Sequence, residues 1–317
     1  MLVVFIFIIV LGLIYFTSEN AQKSGLIVHP KISSREIDYY LDVLNRERFT
    51  EESKQTIRNF IKSEFEKYGY KVTEQKTDGF IPGLNERRIF INIIADKSIL
   101  NEEYILIGAH YDTVPRTTGI DDNASGVAAL LALAKYNQNP NVRFVAFDGE
   151  EYNLSGSRYY IKNTSPKPQL MVSLETMGYY SNEPNTQSIP AFYDWAYRGL
   201  YNRLKSNQFR GNFSSSVCTY NADDFCDKYE SYASSQNLEV YTIYVPTLYF
   251  IRNFFLDLFR SDHTPFLLEG IPAVMITDSA NFRSPNYHKP RDTRDNVNAE
   301  FIAKQANALL RVISNKD

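Results

Sequence analysis

Tyr104-Ile105-Leu106-Ile107-Gly108-Ala109-His110-Tyr111-Asp112 is an apolar run that stops on an imidazole and a carboxylate. A short run with no polar face reads as a strand covered on both sides, because a strand with one wet face would alternate. Similar runs stand at Arg88 to Ala95, Val142 to Phe147, Leu170 to Leu174 and Ala273 to Thr277. Helical patterns fall between them at Ala124 to Tyr136 and Ser157 to Lys162, and after the last at Ala299 to Ile313. Upstream, Thr50 is placed to cap a helix through Tyr68, in which Ile57, Phe60, Ile61, Phe65 and Tyr68 follow the 3.6-residue period and Gly69 supplies the stop. Strands alternating with helices predict an α/β fold, a three-layer sandwich with a central mixed, mostly parallel β-sheet flanked by helices. Sites in such folds form beyond the strand ends.

The 317 residues hold 34 Lys+Arg against 37 Asp+Glu, so no polybasic surface exists to grip a phosphate backbone, and nucleic acid is excluded as a partner. Cys218 and Cys226 are the only cysteines and cannot build a cysteine-ligated zinc site. They read as two buried thiols or one local disulfide, the disulfide being favoured if the body lies outside the cytoplasm. Met1 to Phe16 carries no charged side chain. Residues 1–18 therefore read as a membrane anchor or signal segment forming an N-terminal apolar helix, 19–33 as a linker and 34–317 as one domain. An uncleaved anchor is preferred over a cleaved signal because no basic residue precedes the run and Glu19-Asn20-Ala21 is a poor cleavage site. The expected placement is a membrane-anchored chain with an extracytoplasmic body, the alternative being secretion after signal cleavage. The stretch at about 179–260, rich in Tyr, Asn and Ser, reads as an insertion or lid.

Chemistry collects where the apolar runs end. In His110-Tyr111-Asp112 the period of two puts the imidazole and the carboxylate on one side, where Asp112 is better placed to orient His110 than to ligate a metal. The plain alternative is a strand-end histidine paired with an acid. Twelve positions after His110, from 110 to 122, comes Gly119-Ile120-Asp121-Asp122-Asn123-Ala124-Ser125-Gly126, a turn opening into an apolar helix. Capping explains one of its two acids comfortably and two less well, so Asp121 reads as the cap. Phe147 runs into Asp148-Gly149-Glu150-Glu151, adjacent acids whose repulsion needs a cation or a shared proton to offset it, with Asp148 read as a turn acid. Leu174-Glu175 ends another run, and Tyr287-His288 sits in a loop before the last helix. Carboxylates with imidazoles suit zinc or similar ions, and five candidate ligands with one acid to spare fit two divalent ions sharing a bridging carboxylate.

These stretches resemble the zinc aminopeptidases with two co-catalytic metals, metallopeptidase family 28, over roughly residues 85 to 315. The match is carried by His110-Tyr111-Asp112, Asp122-Asn123-Ala124-Ser125-Gly126, Phe147-Asp148-Gly149-Glu150-Glu151, Leu174-Glu175, Ser261-Asp262-His263-Thr264-Pro265-Phe266, and Tyr287-His288 with Asp292-Thr293. The resemblance implies His110 and Glu175 on one metal, Glu151 and His288 on the other, and Asp122 bridging two ions, expected to be Zn2+. It implies Glu150 as the general base and Tyr287 as a hydrogen-bond donor to the oxyanion. Asp262 and His263 would line or support the pocket, and the substrate would be a peptide with a free N-terminus. One departure stands out: the family most often has Asp where this chain has Glu175, whose extra methylene moves the carboxylate by about 1.5 Å.

Three other readings compete. His110-Tyr111-Asp112-Thr113-Val114-Pro115 also resembles the metal-dependent deacylases and carboxypeptidases with an inserted dimerisation domain, but the Asp122 turn follows too soon for that family. Glutaminyl cyclases share the Phe147 to Glu151 stretch, and Tyr287 stands where a cyclase would be expected to have Trp. An inactive membrane receptor of the same fold should have lost ligands, whereas all five candidates are present.

Overall fold

The computed structural model describes residues 32–81, 84–100, 103–246 and 255–314. The apolar N-terminal segment expected to form an anchor lies outside them. Among the described residues no helix is long and apolar enough to cross a membrane.

Helix α1 (Ser34–Leu44) is capped by Ser33, whose hydroxyl accepts the Glu36 N–H, and turns Ile37, Tyr40, Leu41 and Leu44 inward. Helix α2 (Glu51–Lys67) starts on Thr50, which accepts the Ser53 N–H, and buries Ile57, Ile61 and Phe65 at four-residue intervals. Strands β1 (Lys71–Ile81) and β2 (Glu86–Asp96) pair antiparallel along their whole length. Next come β3 (Ile105–His110), α3 (Gly126–Tyr136), β4 (Val142–Phe147), α4 (Ser155–Asn163) and β5 (Leu170–Glu175). The stretch read as an insertion or lid contains α5 (Tyr193–Ala196), α6 (Arg198–Ser206), β6 (Ser214–Cys218), α7 (Asp223–Ser234) and β7 (Val240–Tyr244). The chain closes with α8 (His263–Leu268), β8 (Ala273–Thr277) and α9 (Ala299–Ser314).

Among the described residues eight strands form one mixed sheet in the order β1-β2-β4-β3-β5-β8-β6-β7. β4, β3, β5 and β8 run parallel at its centre. β6 joins β8 antiparallel and β7 joins β6 parallel, so the 179–260 region extends the sheet. Alternate residues serve opposite faces. Ile107, Ala109, Phe144, Val172, Leu174 and Ile276 pack with residues of α1, α2, α3 and α9. Leu106, Val145, Phe147, Met171 and Met275 pack with Tyr160 of α4 and Phe266 of α8. Helix α3 is buried from Gly126 to Ala134, which is why its sequence shows no polar stripe. The parallel registers set His110 opposite Phe147 and Glu175 opposite Thr277. The C-terminal ends of the central strands therefore finish level, and the loops leaving them converge on one edge.

Candidate metal centre and adjoining pocket

His110 is the last residue of β3 and is buried. Its Nδ1 lies 3.5 Å from Asp112 Oδ1. Asp112 also accepts the backbone N–H of Glu150 at 3.2 Å and of Glu151 at 3.3 Å, so one carboxylate ties the end of β3 to the loop after β4. The loop behind them is held by Arg48, whose buried guanidinium donates to the carbonyls of Leu44, Arg46, Tyr111, Thr118 and Gly119. Burial pulls the Arg48 pKa down to about 10 despite Asp292, Asp122 and Asp112 nearby, so it stays charged at neutral pH.

Asp122 stands in the turn before α3, where the Asp122–Asn123 peptide is cis. The Asp292 carboxylate accepts the N–H groups of Asp121 and Asp122. Asn123 bridges to β5, donating to the Leu174 carbonyl and accepting the Thr176 N–H. Gly126 must be glycine: a Cβ there would lie 2.3 Å from Asn123 Oδ1. Asp121 accepts the Gly178 N–H from below, a tie between loops rather than a ligand position.

After β4, Gly149 takes φ +75°, a conformation glycine adopts without strain, and turns the chain so that both glutamates face the strand ends. Asp148, read as a turn acid, is fully buried and pairs with Lys54 Nζ at 2.8 Å. It also accepts the Ile91 N–H and the Tyr111 hydroxyl. Glu175, the last residue of β5, accepts a hydrogen bond from Ser261 at 2.8 Å. His288 reaches in from its loop with φ 58°, a strained conformation for a residue with a side chain. Its ring lies 3.9 Å from that of Tyr287, nearly coplanar in stack.

Two triads of ligand atoms result, His110–Asp122–Glu175 and Asp122–Glu151–His288, each set lying within 4.8 Å of one another. His110 Nε2 is 3.2 Å from Asp122 Oδ1 and 3.4 Å from Glu175 Oε2. His288 Nε2 is 2.9 Å from Asp122 Oδ2 and 3.1 Å from Glu151 Oε2. Asp122 thus turns one oxygen to each triad. His110 Nε2, Asp122 Oδ2 and Glu151 Oε1 are buried without a well-formed hydrogen bond, the condition of donor atoms arranged for something other than one another. Burial, with Glu175, Glu151 and Asp262 close by, drives the Glu150 carboxyl well above its ordinary range. Burial and Asp122 raise Glu151 to about 7. Against the effect of burial, Glu175 and Glu150 push His110 up, and Asp122 and Glu151 push His288 to about 10. The cluster thus draws positive charge wherever it can be held. Its donor set of imidazoles and carboxylates fits divalent ions of the zinc type.

Beside Glu175 and Tyr287 opens a pocket of about 770 Å³, counting the part open to solvent, lined mainly by apolar side chains including Ile189, Leu204, Phe213, Val217 and Met275. Several of these come from the 179–260 stretch. Asp262 is buried next to the site with neither oxygen in a well-formed hydrogen bond, and burial raises it to about 7. His263 belongs to neither triad; its Nε2 pairs with the Leu258 carbonyl. Arg48, Lys54 and Arg260 carry no local sign of a role: each is a cation in an ordinary helix or loop, and only the fold brings it to the site. Cys218 and Cys226 form a disulfide that joins the end of β6 to α7.

With this fold and site, the chain belongs to peptidase family M28, whose model matches residues 92–313. It is 31% identical over 316 residues to Uncharacterized protein YfbL of Escherichia coli (strain K12), covering 94% of this chain and 88% of that one. Leucine aminopeptidase 2 of Trichophyton rubrum is 27% identical over 256 residues, covering 73% of this chain, which spans only 46% of that relative. The fold is similar to a Zn-dependent exopeptidase from Parabacteroides distasonis ATCC 8503, with a TM-score of 0.67 at 18% identity, covering 91% of this chain and all (100%) of that one. It is also similar to the glutaminyl cyclase of Bacteroides thetaiotaomicron, with a TM-score of 0.65 at 17% identity, covering 91% and 99%.

Proposed function

We propose that the protein is an aminopeptidase that removes N-terminal residues from peptides, with two divalent ions, Zn2+ foremost, held by His110 and Glu175, by Glu151 and His288, and by Asp122 between them. The observation that carries this reading is Asp122, which offers one oxygen to each of two His–carboxylate pairs. Bound there, the ions supply Lewis acidity toward the peptide carbonyl and lower the pKa of a water. Glu150 accepts that water's proton and returns it to the leaving amine. Burial and the neighbouring carboxylates raise its pKa, the direction that makes a carboxylate a better proton acceptor. Tyr287 donates to the oxyanion as the carbonyl becomes tetrahedral. The substrate's α-ammonium group meets Glu150, Glu151 and Glu175, and its first side chain enters the apolar pocket beside Glu175 and Tyr287.

Residues 1–18 tether this domain to a membrane, on the support of a run from Met1 to Phe16 without a charge. The Cys218–Cys226 disulfide supports a body outside the reducing cytoplasm. Fractionation tests the tether. Recovery wholly in the soluble fraction with Met1 intact defeats it, and a mature N-terminus after the run converts it to a cleaved signal.

The activity is tested with amino-acid anilides, acyl-amino acids and a glutaminyl peptide, with and without chelator. Chelator-sensitive release of free N-terminal residues supports the proposal. Deacylation, or cyclisation with one ion per chain, replaces it. Glu150→Gln should lower the rate by about 10²–10⁴-fold with both ions retained. Glu151→Gln should lose affinity for one ion and regain part of its activity on metal addition. The reverse pattern exchanges their roles.

A further inference from the structure

Arg260 precedes the Ser261-Asp262-His263 stretch and lies at the rim of the apolar pocket, the only cationic side chain among the described residues lining it. Its guanidinium is held from one side by Asn281, whose Oδ1 accepts from Nη1 at 2.8 Å, and by Asp257 at 3.4 Å. On the other side Nη2 donates to the Tyr287 hydroxyl at 3.3 Å. The guanidinium carbon also lies 5.6 Å from the centre of the Tyr287 ring. These contacts matter because a guanidinium has no acceptor. The Tyr287 oxygen must therefore accept from Arg260, and its own proton is directed away from the guanidinium. The ring itself is held by its stack on His288, so rotation of the O–H bond is the freedom left to fix.

We propose that Arg260 is a positioning residue for catalysis, which fixes the Tyr287 hydroxyl as a donor aimed at the developing oxyanion and strengthens that donor with its charge. The inference rests on the aminopeptidase reading and adds to it a residue that touches neither the metal ligands nor the scissile bond. No covalent bond changes at Arg260 or Tyr287; the hydrogen bond from the phenol shortens as charge builds on the carbonyl oxygen. A hydrogen bond to a charged partner is about twice as strong as a neutral one, and the same logic applies to a phenol polarised by a cation behind it.

The test uses the full chain with metal and compares wild type, R260A, R260K, Y287F and R260A/Y287F on an amino-acid anilide. Loss of a direct oxyanion donor costs about 10²–10³-fold, so a group one step behind it should cost about tenfold in kcat with little change in KM. R260K, which keeps one donor and the charge, should recover part of that loss. R260A should add nothing in the Y287F background, because Arg260 acts through the hydroxyl that Phe lacks. As a readout without turnover, R260A should bind a phosphinic dipeptide analogue, which mimics the tetrahedral oxyanion, about tenfold more weakly, and bind the free amino acid product as wild type does. Should R260A not fold by circular dichroism, R260Q carries the same comparison with the bulk retained. Additive losses in the double variant, or a loss confined to KM for substrates with a free carboxylate, overturn the proposal in favour of a structural or carboxylate-reading role. Wild-type kcat in Y287F overturns it while the aminopeptidase reading stands. No hydrolysis by metal-replete wild type overturns both.

Discussion

Asp112→Asn separates what one buried carboxylate does for three neighbours. Oδ1 accepts the Glu150 N–H and faces His110 Nδ1, while Oδ2 accepts the Glu151 N–H. Backbone amides can only donate, and His110 must donate from Nδ1 if Nε2 is to face a metal. The carboxylate meets all three demands with two acceptor oxygens. An amide keeps one oxygen and turns the other into a donor, so in either orientation an N–H confronts an N–H in a buried space. Losing a hydrogen bond to a charged group, with the donor left unsatisfied, costs about 1.5–3 kcal/mol. If that cost falls on the active arrangement, kcat/KM drops by about 10- to 150-fold. The range agrees with the 10–100-fold typical for removing a partner of a metal-bound histidine. Anilide hydrolysis is to be measured at saturating Zn2+, and metal retention by dialysis against graded chelator. Excess metal should restore occupancy but not the whole rate, because the Glu150 backbone remains displaced. An Asp112→Asn protein with wild-type metal affinity and wild-type kcat/KM would falsify the claim that this carboxylate organises the site.

Other consequences follow from buried charge and cross-links. Lys54→Met leaves Asp148 buried and unpaired and should destabilise the domain by about 3–5 kcal/mol in urea unfolding, with Lys54→Met/Asp148→Asn recovering most of the loss; an unchanged midpoint refutes it. Burial lowers the His263 pKa to about 4, so the unfolded chain takes up a proton that the fold refuses. That contribution to stability is present above pH ~6.5 and should be lost by up to about 3 kcal/mol as pH falls toward ~4. His263→Gln keeps a donor for the Leu258 carbonyl, and subtracting its stability curve from wild type isolates this slope from the opposite one of Asp262, raised to about 7. Cys218→Ala/Cys226→Ala should lower stability by about 2–3 kcal/mol. Reductant should do the same to wild type and nothing to the variant, and equal unfolding midpoints for the two proteins without reductant count against the cross-link.

The central strands and the acids at their ends were legible in the sequence because β3, β4, β5 and β8 are covered on both faces, and a doubly covered strand has to be an apolar run. β1 left no such mark, since it lies at the sheet edge with nearly all its side chains exposed or partly exposed to water. β6 is buried yet reads Ser214-Ser215-Ser216, its hydroxyls satisfied by Tyr229, Gln305, Ser279 and Thr242, none of which is adjacent in sequence. The residue types at strand ends pointed to a metal centre, but their meeting depended on the tertiary structure. The parallel register of β3 against β5 brings His110 and Glu175 side by side, and the Asp292 and Asn123 hydrogen bonds fix the turn that lets Asp122 face both triads. Arg48, Lys54 and Arg260 left no local signal for the same reason: local pattern records whether a side chain is apolar and how often, whereas the buried Arg48 and Lys54, and the exposed Arg260 at the pocket rim, are held by partners far off in sequence that only the folded chain brings within reach.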